Sequence, residues 1–229
     1  MGLTEDVIER IKKMIIDGEL VPGQRLPVEK DLAARLQVSR NSLREAVRAL
    51  TMIRVLQTRQ GDGTYVTSLS PELLLETVGF VADLHHDDTT LQFLEVRRLL
   101  EPEAAAMAAT RIDTADLERL GDLLAEAERI AARTPVDHDR MVANDQAFHG
   151  LINHASGNPV LATVAESMSG ATTRARVWRG ITQENATERT LAEHRSIMVA
   201  LAQRDPARAR LHAAVHIAGV EDWLRAAAG

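Results

Sequence analysis

The chain has no cysteine among its 229 residues, which excludes disulfides, thiolate metal sites and a thiol nucleophile. It also lacks any apolar run of about 18 residues, so no segment is expected to span a bilayer. The opening MGLTEDVIERIKKMII carries acidic residues early and a helical period, unlike a secretory signal. A cytoplasmic protein is the expectation. No Ser/His/Asp set and no paired acid and base carboxylates stand out, which speaks against an enzyme. The length leaves room for one large or two modest domains, each with its own core.

The net charge of −6 is unevenly spread. Residues 1–70 hold eleven Lys/Arg against nine Asp/Glu, and residues 71–229 hold sixteen against twenty-four. Within 28–60 the balance is seven basic to three acidic. Attraction to phosphate acts over a Debye length of roughly 8–10 Å, so this local sign outweighs the acidic remainder.

That basic stretch reads as a winged helix-turn-helix. Leu3, Val7, Ile11 and Ile15 recur every four residues, one apolar stripe on a helix ending near Asp17-Gly18. Val21-Pro22-Gly23 forces a turn, and Glu29 to Leu36 makes a second helix packing Leu32, Ala33 and Leu36. Ser39 can cap a third, with Leu43, Ala46, Val47 and Leu50 inside and Arg40, Asn41, Ser42, Arg44 and Arg48 outside. Arg and Asn can read guanine and adenine edges, while Ser and Lys mostly hold phosphates. VLQTRQGDGTYV then makes a hairpin turning at Gly61-Asp62-Gly63.

Leu26-Pro27, Glu29, Leu32-Ala33, Val38-Ser39-Arg40, Leu43-Arg44-Glu45-Ala46, Leu50 and Gly61-x-Gly63-Thr64-x-Val66 resemble the GntR family of bacterial transcription regulators. The resemblance implies contact with double-stranded DNA by Lys30, Ser39, Arg40, Asn41, Ser42 and Arg44, and from the wing by Gln60 and Gly61. Two positions depart from the family. Arg54 stands where glycine is usual, and a left-handed backbone there costs an L-residue roughly 1 kcal/mol. Asp62 replaces a commonly basic residue at the wing tip. Arg48, Arg54 and Arg59 read equally well as solvated surface.

Ser70-Pro71 marks the expected boundary between a DNA-binding domain, 1–69, and an all-helical domain, 70–229. The pattern gives helices over 73–84, 91–110 with Pro102 as a kink, 114–132 capped by Thr114, 137–154, 159–178, 187–203 and 206–227. No strand is expected after Val66. The fold class is therefore mainly α: a winged helix-turn-helix followed by an all-α bundle of six or seven helices.

Eight histidines enter this half of the chain. Asp145 and His149 lie four apart, about 40° around a helix, so both can face one interior point. His194 and His216 fall on later helices, and His212 precedes His216 by one turn, so either of the last two could join them. One carboxylate and three imidazoles suit zinc, nickel, cobalt or manganese, although such spacing also arises by chance. His85-His86-Asp87-Asp88 cannot converge on one helix face and reads as a solvated loop. His138 and His154 sit at segment ends without a role.

Glu95-Val96-Arg97-Arg98-x-x-Glu101, Asp145-x-x-x-Phe148-His149, Gly157-Asn158-Pro159, Glu193-His194 and Asp205 to His216 resemble the FCD ligand-binding domain of the FadR subgroup. The resemblance implies a metal ion, zinc first, held by Asp145, His149, His194 and His216 beneath a small-molecule cavity. The spacing from Asp205 matches the family for His216 rather than His212. It also implies that Arg97 pairs with an effector carboxylate, the alternative being a surface ion pair with Glu101. Arg98 should point outward. Arg174, Arg176 and Asn153 are weaker candidates for pocket polarity, and Trp178 and Trp223 are expected to close a core or an interface.

Three functions compete. The first is a ligand-responsive regulator, a repressor, that reads an inverted-repeat operator as a homodimer with half-sites about one turn of DNA apart or slightly less. A small carboxylate metabolite at the metal-containing pocket would modulate it. The second is a metal-dependent hydrolytic enzyme, because the same ligands leave positions open for water. The third is a sensor whose signal is the metal ion itself.

Overall fold

The computed structural model describes residues 2–71, 73 and 88–228. The expected helix over 73–84 and the His85-His86-Asp87 stretch lie almost wholly outside them. The chain divides into two compact units, parted within the segment not described, and each is treated by itself.

The first unit runs α1 (Leu3–Ile16), α2 (Glu29–Arg35), α3 (Arg40–Met52), β1 (Leu56–Arg59) and β2 (Gly63–Val66). Its core takes Val7, Ile11 and Met14 from α1, while Leu3, at the end of the expected stripe, is exposed. Leu32, Ala33, Leu43, Ala46 and Leu50 complete it from the other helices, with Leu56 and Val66 from the hairpin. Ser39 caps α3 by accepting from the Ser42 amide at 3.0 Å. The strands pair antiparallel, Leu56 opposite Val66 and Arg59 opposite Gly63.

One feature of this unit went unanticipated, and one open question is answered. Residues 23–26 run beside β2, bonded from Leu26 N to Thr64 O (2.8 Å) and Val66 N to Gln24 O (2.9 Å). Arg54 does adopt the left-handed backbone, φ 60°, and its carbonyl accepts the Thr67 hydroxyl at 2.7 Å. The geometry usually given to glycine is therefore kept with arginine in place.

The second unit runs α4 (Asp88–Arg111), α5 (Thr114–Ala131), α6 (His138–Ala155), α7 (Pro159–Ala171), α8 (Thr173–Thr182), α9 (Ala186–Ala202) and α10 (Pro206–Ala228). Among the described residues it holds seven helices and no strand. α4 packs chiefly against α10, and its Ala104, Ala105, Ala108 and Ala109 are buried. Pro102 lies inside the α4 span.

Two boundaries differ from expectation. The cap of α5 is Asp113, which accepts from the Asp116 amide at 2.8 Å, rather than Thr114. The single helix expected over 159–178 is two, broken at Thr172. That residue is fully buried, bonds its amide to Ser169 O at 3.2 Å, and accepts Arg97 Nη1 on its hydroxyl at 2.9 Å. The break re-aims α8, so that Arg176 and Arg179 point into the bundle. No helix among the described residues is long and apolar enough to cross a membrane.

Candidate metal centre

Asp145 and His149 face inward from α6, His194 from α9 and His216 from α10, and all four are buried. Each offers a donor atom, and these atoms lie within 4.8 Å of one another. Asp145 Oδ1 stands 3.9 Å from His149 Nε2, 3.2 Å from His194 Nε2 and 3.4 Å from His216 Nε2. Donors bound at about 2.0–2.2 Å to one ion stand about 3.3–3.6 Å apart at tetrahedral angles and about 4.4 Å apart across the ion, so the Asp145 distances already suit a coordination shell and the widest spacing must close by about 1 Å or less.

The surroundings fix which nitrogen faces the cluster. Glu101 Oε2 lies 3.2 Å from His149 Nδ1, and Glu193 Oε2 lies 2.9 Å from His216 Nδ1. A carboxylate on Nδ1 holds the proton there and leaves the Nε2 lone pair aimed at the cluster. His194 is steadied instead by Phe148, whose ring stacks on it with centroids 4.3 Å apart. The buried Nε2 atoms of His149 and His194 have no hydrogen-bond partner among the described residues. Buried polar atoms without partners are rare and costly, and a divalent cation would satisfy both at once. The residues fit a metal ion.

Electrostatics agree. Burial alone would raise the Asp145 carboxyl, but Arg176 and the imidazoles of His194 and His216 hold it well below the usual carboxylate range, as an anionic ligand. Burial pushes His149 well below its ordinary value and lowers His194, which keeps both neutral. Burial opposes protonation of His216 too, yet Asp145 and Glu193 outweigh it and raise the imidazole above its ordinary value, so a metal ion competes with a proton there.

Arg97 is fully buried on α4 rather than at the surface. Its Nε donates to Glu101 Oε1 at 2.6 Å, its Nη2 to Glu101 Oε2 at 3.3 Å and its Nη1 to Thr172. The pair with Glu101 exists, inside the bundle. Arg98 is half exposed and pairs with Glu221. His212 is absent from the four-residue cluster and lines a surface hollow with Arg195 and Val199. Arg174 is exposed, Asn153 is buried, Trp178 is 57% exposed and Trp223 is half-buried. Arg176 is the residue that the sequence undervalued. It is buried, pairs with Asp145, and donates from Nη2 to Ser169 O at 2.8 Å. Its burial and the charge of Arg97 lower it to about 10, so it remains a cation at neutral pH.

In the first unit, Lys30, Ser39, Arg40, Asn41, Arg44, Gln60 and Gly61 are all exposed, and Ser42 is half-buried against the Ser39 hydroxyl. Arg44 Nε lies 2.8 Å from Glu29 Oε2 and Arg40 Nη2 lies 3.7 Å from the same atom. At the wing tip Asp62 accepts the Tyr65 hydroxyl at 2.7 Å and sits 3.9 Å from Arg25. Arg59 lies over the Tyr65 ring, 4.2 Å from its centroid.

Residues 3–66 match the model of bacterial regulatory proteins of the gntR family, and residues 92–219 match the FCD domain. The chain belongs to the GntR family. It is 32% identical to the transcriptional regulator LutR of Bacillus subtilis, over 92% of this chain and 96% of that protein. It is 29% identical to the galactonate operon transcriptional repressor of Escherichia coli, over 90% and 89% of the two chains. The solved GntR protein of Streptococcus agalactiae superposes with a TM-score of 0.72 at 29% identity, covering 96% of this chain and 99% of that one. The protein is thus a GntR/FCD transcription regulator with a helix-turn-helix for operator DNA, and its relatives are regulators, not enzymes.

Proposed function

We propose that this regulator represses transcription from an inverted-repeat operator, as a cytoplasmic homodimer whose affinity for DNA is set by a small carboxylate bound at a metal centre. Residues 1–69 serve as the reading head and 70–229 as the sensor. The observation that carries this reading is the buried convergence of Asp145, His149, His194 and His216, with the Nε2 atoms of His149 and His194 lacking a hydrogen-bond partner among the described residues. Zinc suits three neutral imidazoles and one carboxylate, with nickel, cobalt and manganese next. When bound, the ion supplies an electrophilic seat for a carboxylate oxygen. Asp145 supplies charge, while Glu101 and Glu193 orient imidazoles. Arg97 reaches an effector carboxylate only by trading Glu101 or Thr172 for it.

In the head, Arg40 and Arg44 stand as base or near-base contacts, with Lys30, Ser39, Asn41, Ser42, Gln60 and Gly61 on the flanks. The 29% identity to a protein named a repressor supports repression as the mode. The coupling needed is about 1–3 kcal/mol, a 5- to 150-fold change in DNA affinity.

The test combines metal analysis of purified protein with selection of bound duplexes from a random pool. An inverted repeat should emerge, and a small carboxylic acid should shift its binding only when the metal is present. His149→Ala with His194→Ala should lose both metal and acid response. Retention of full acid response without metal sinks the proposal. A response to metal alone, with no acid added, favours the ion as the signal instead.

A further inference from the structure

In the first unit the hairpin and helices α2 and α3 flank a hollow of about 400 Å³, bordered by Arg25, Arg59 and Gln60 on one side and by Glu29, Leu43 and Val47 on the other. With α3 in one groove of a duplex and the wing tip against the next, the sugar–phosphate strand between the two grooves passes across this hollow. Its charged lining is Arg25, Glu29, Arg59 and Asp62. Glu29 is matched by Arg44 and Arg40, and Arg59 lies over the Tyr65 ring.

Arg25 belongs to neither the reading helix nor the hairpin. Its backbone bridges Tyr65 beside β2, and alternation from the buried Leu26 turns its side chain outward. The guanidinium lies across Gly63, where a β-carbon would come within 2.5 Å of Nε and 3.1 Å of Nη2. The missing side chain at Gly63 thus lets a cation from residue 25 reach the wing tip. There Nη1 stands 3.9 Å from Asp62 Oδ1, an ion pair without a hydrogen bond between half-exposed side chains. Such a pair contributes little and gives way easily. Asp62 is pinned through its other oxygen, which accepts the Tyr65 hydroxyl at 2.7 Å.

We infer that Arg25 is a phosphate contact of the wing, held by Asp62 in the free head and handed to the DNA backbone on binding, with Tyr65 keeping Asp62 in place. The cation that position 62 does not supply comes from outside the hairpin, and its planar fork suits phosphate oxygens. This inference rests on the reading of the head above, in which Gln60 and Gly61 lie against DNA, and adds to it a contact and the pair that positions it.

The test is the salt dependence of binding by full-length protein, read by fluorescence anisotropy on an operator selected from a random pool and on a duplex of unrelated sequence. Arg25→Gln should weaken both about tenfold at low salt and flatten the plot of log K against log salt by about 0.9 per engaged head. Arg25→Lys, which keeps the charge, should keep the slope. Asp62→Asn should tighten both complexes, and that gain should shrink by about half or more when Arg25→Gln is already present. An unchanged slope for Arg25→Gln overturns the inference, as does a flattened slope for Arg25→Lys or a loss confined to the operator, which marks a base contact. An Asp62→Asn gain that is the same with and without Arg25 overturns the exchange between Asp62 and phosphate. Gln60→Glu, which puts an anion at the tip, separates the two readings. If it weakens binding and Arg25→Gln does not, only this inference falls. If neither weakens binding, the wing stands clear of DNA and that part of the reading of the head falls too.

Discussion

In the first unit the side chains of Arg40, Arg44 and Arg48 are 62%, 54% and 75% exposed and lean on Glu29 and Glu45. In the second, those of Arg97 and Arg176 are 1% and 5% exposed and lock onto Glu101 and Asp145. The same pair of residue types does different work in the two places. At the surface an Arg–carboxylate pair contributes roughly 0–1 kcal/mol and is easily exchanged for a phosphate or a base edge. Inside the bundle neither partner can be given up without stranding the other in a medium that solvates charge poorly. The head can therefore be altered without unfolding it, whereas the chamber couples stability to ligand chemistry.

The sharpest way to break that contrast is Asp145→Ala. It removes a donor from the metal cluster and leaves the Arg176 guanidinium buried without its carboxylate. A cost of about 3–5 kcal/mol is expected, seen as a fall in Tm on the order of 10 °C together with loss of bound metal. An unchanged Tm would mean that the chamber is wetter than its burial indicates. Next in size is Glu193→Gln, which keeps shape at His216 Nδ1 and removes the charge that orients it. Metal affinity should drop about 10- to 100-fold, measured by competition with a chelator, while DNA binding in the absence of effector should hold.

The head responds oppositely. Arg44→Ala should weaken operator binding by about 1–3 kcal/mol if Arg44 reads a base, with thermal stability within about 0.5 kcal/mol and metal content unchanged. Comparable losses on operator and random duplex would reassign Arg44 to phosphate. A fall in stability as large as that of Asp145→Ala would erase the distinction between the two regions.

What the sequence made legible follows the range of the interactions involved. The capped α3, its apolar face and the Gly61-x-Gly63 hairpin depend on neighbours within a few residues, and all three were readable. So was the Asp145/His149 pair, one turn apart, whereas His194 and His216 stood only as candidates on later helices, and the family resemblance was needed to join them to the pair and to prefer His216 over His212. The break at Thr172 answers to Arg97, 75 residues earlier, and the Asp145–Arg176 pair spans 31. No local pattern encodes either, and so α7 and α8 read as one helix and Arg176 as a minor candidate. Arg97 shows the limit from the other side. Its bond to Glu101, four residues on, was only the alternative reading, placed at the surface, and the helix period could not say that both would be sealed inside.

Arg54 offers the smallest and most local test. Its φ of 60° places an L-residue where the β-carbon crowds the following carbonyl, at a cost of about 1–2 kcal/mol. The surrounding bonds, Thr67 Oγ1 to Arg54 O and Arg54 N to Thr51 O at 3.1 Å, hold the conformation in place. Glycine would relieve the crowding but give back roughly 0.5–1 kcal/mol through a freer unfolded chain. Arg54→Gly should therefore stabilise the first unit by about 0.5–1 kcal/mol, measured by denaturant midpoint. If stability rises and operator affinity also holds, arginine at this turn contributes nothing to DNA. If stability rises while affinity falls and its salt dependence flattens, the guanidinium contacts phosphate, and the head gives up a little stability for that contact.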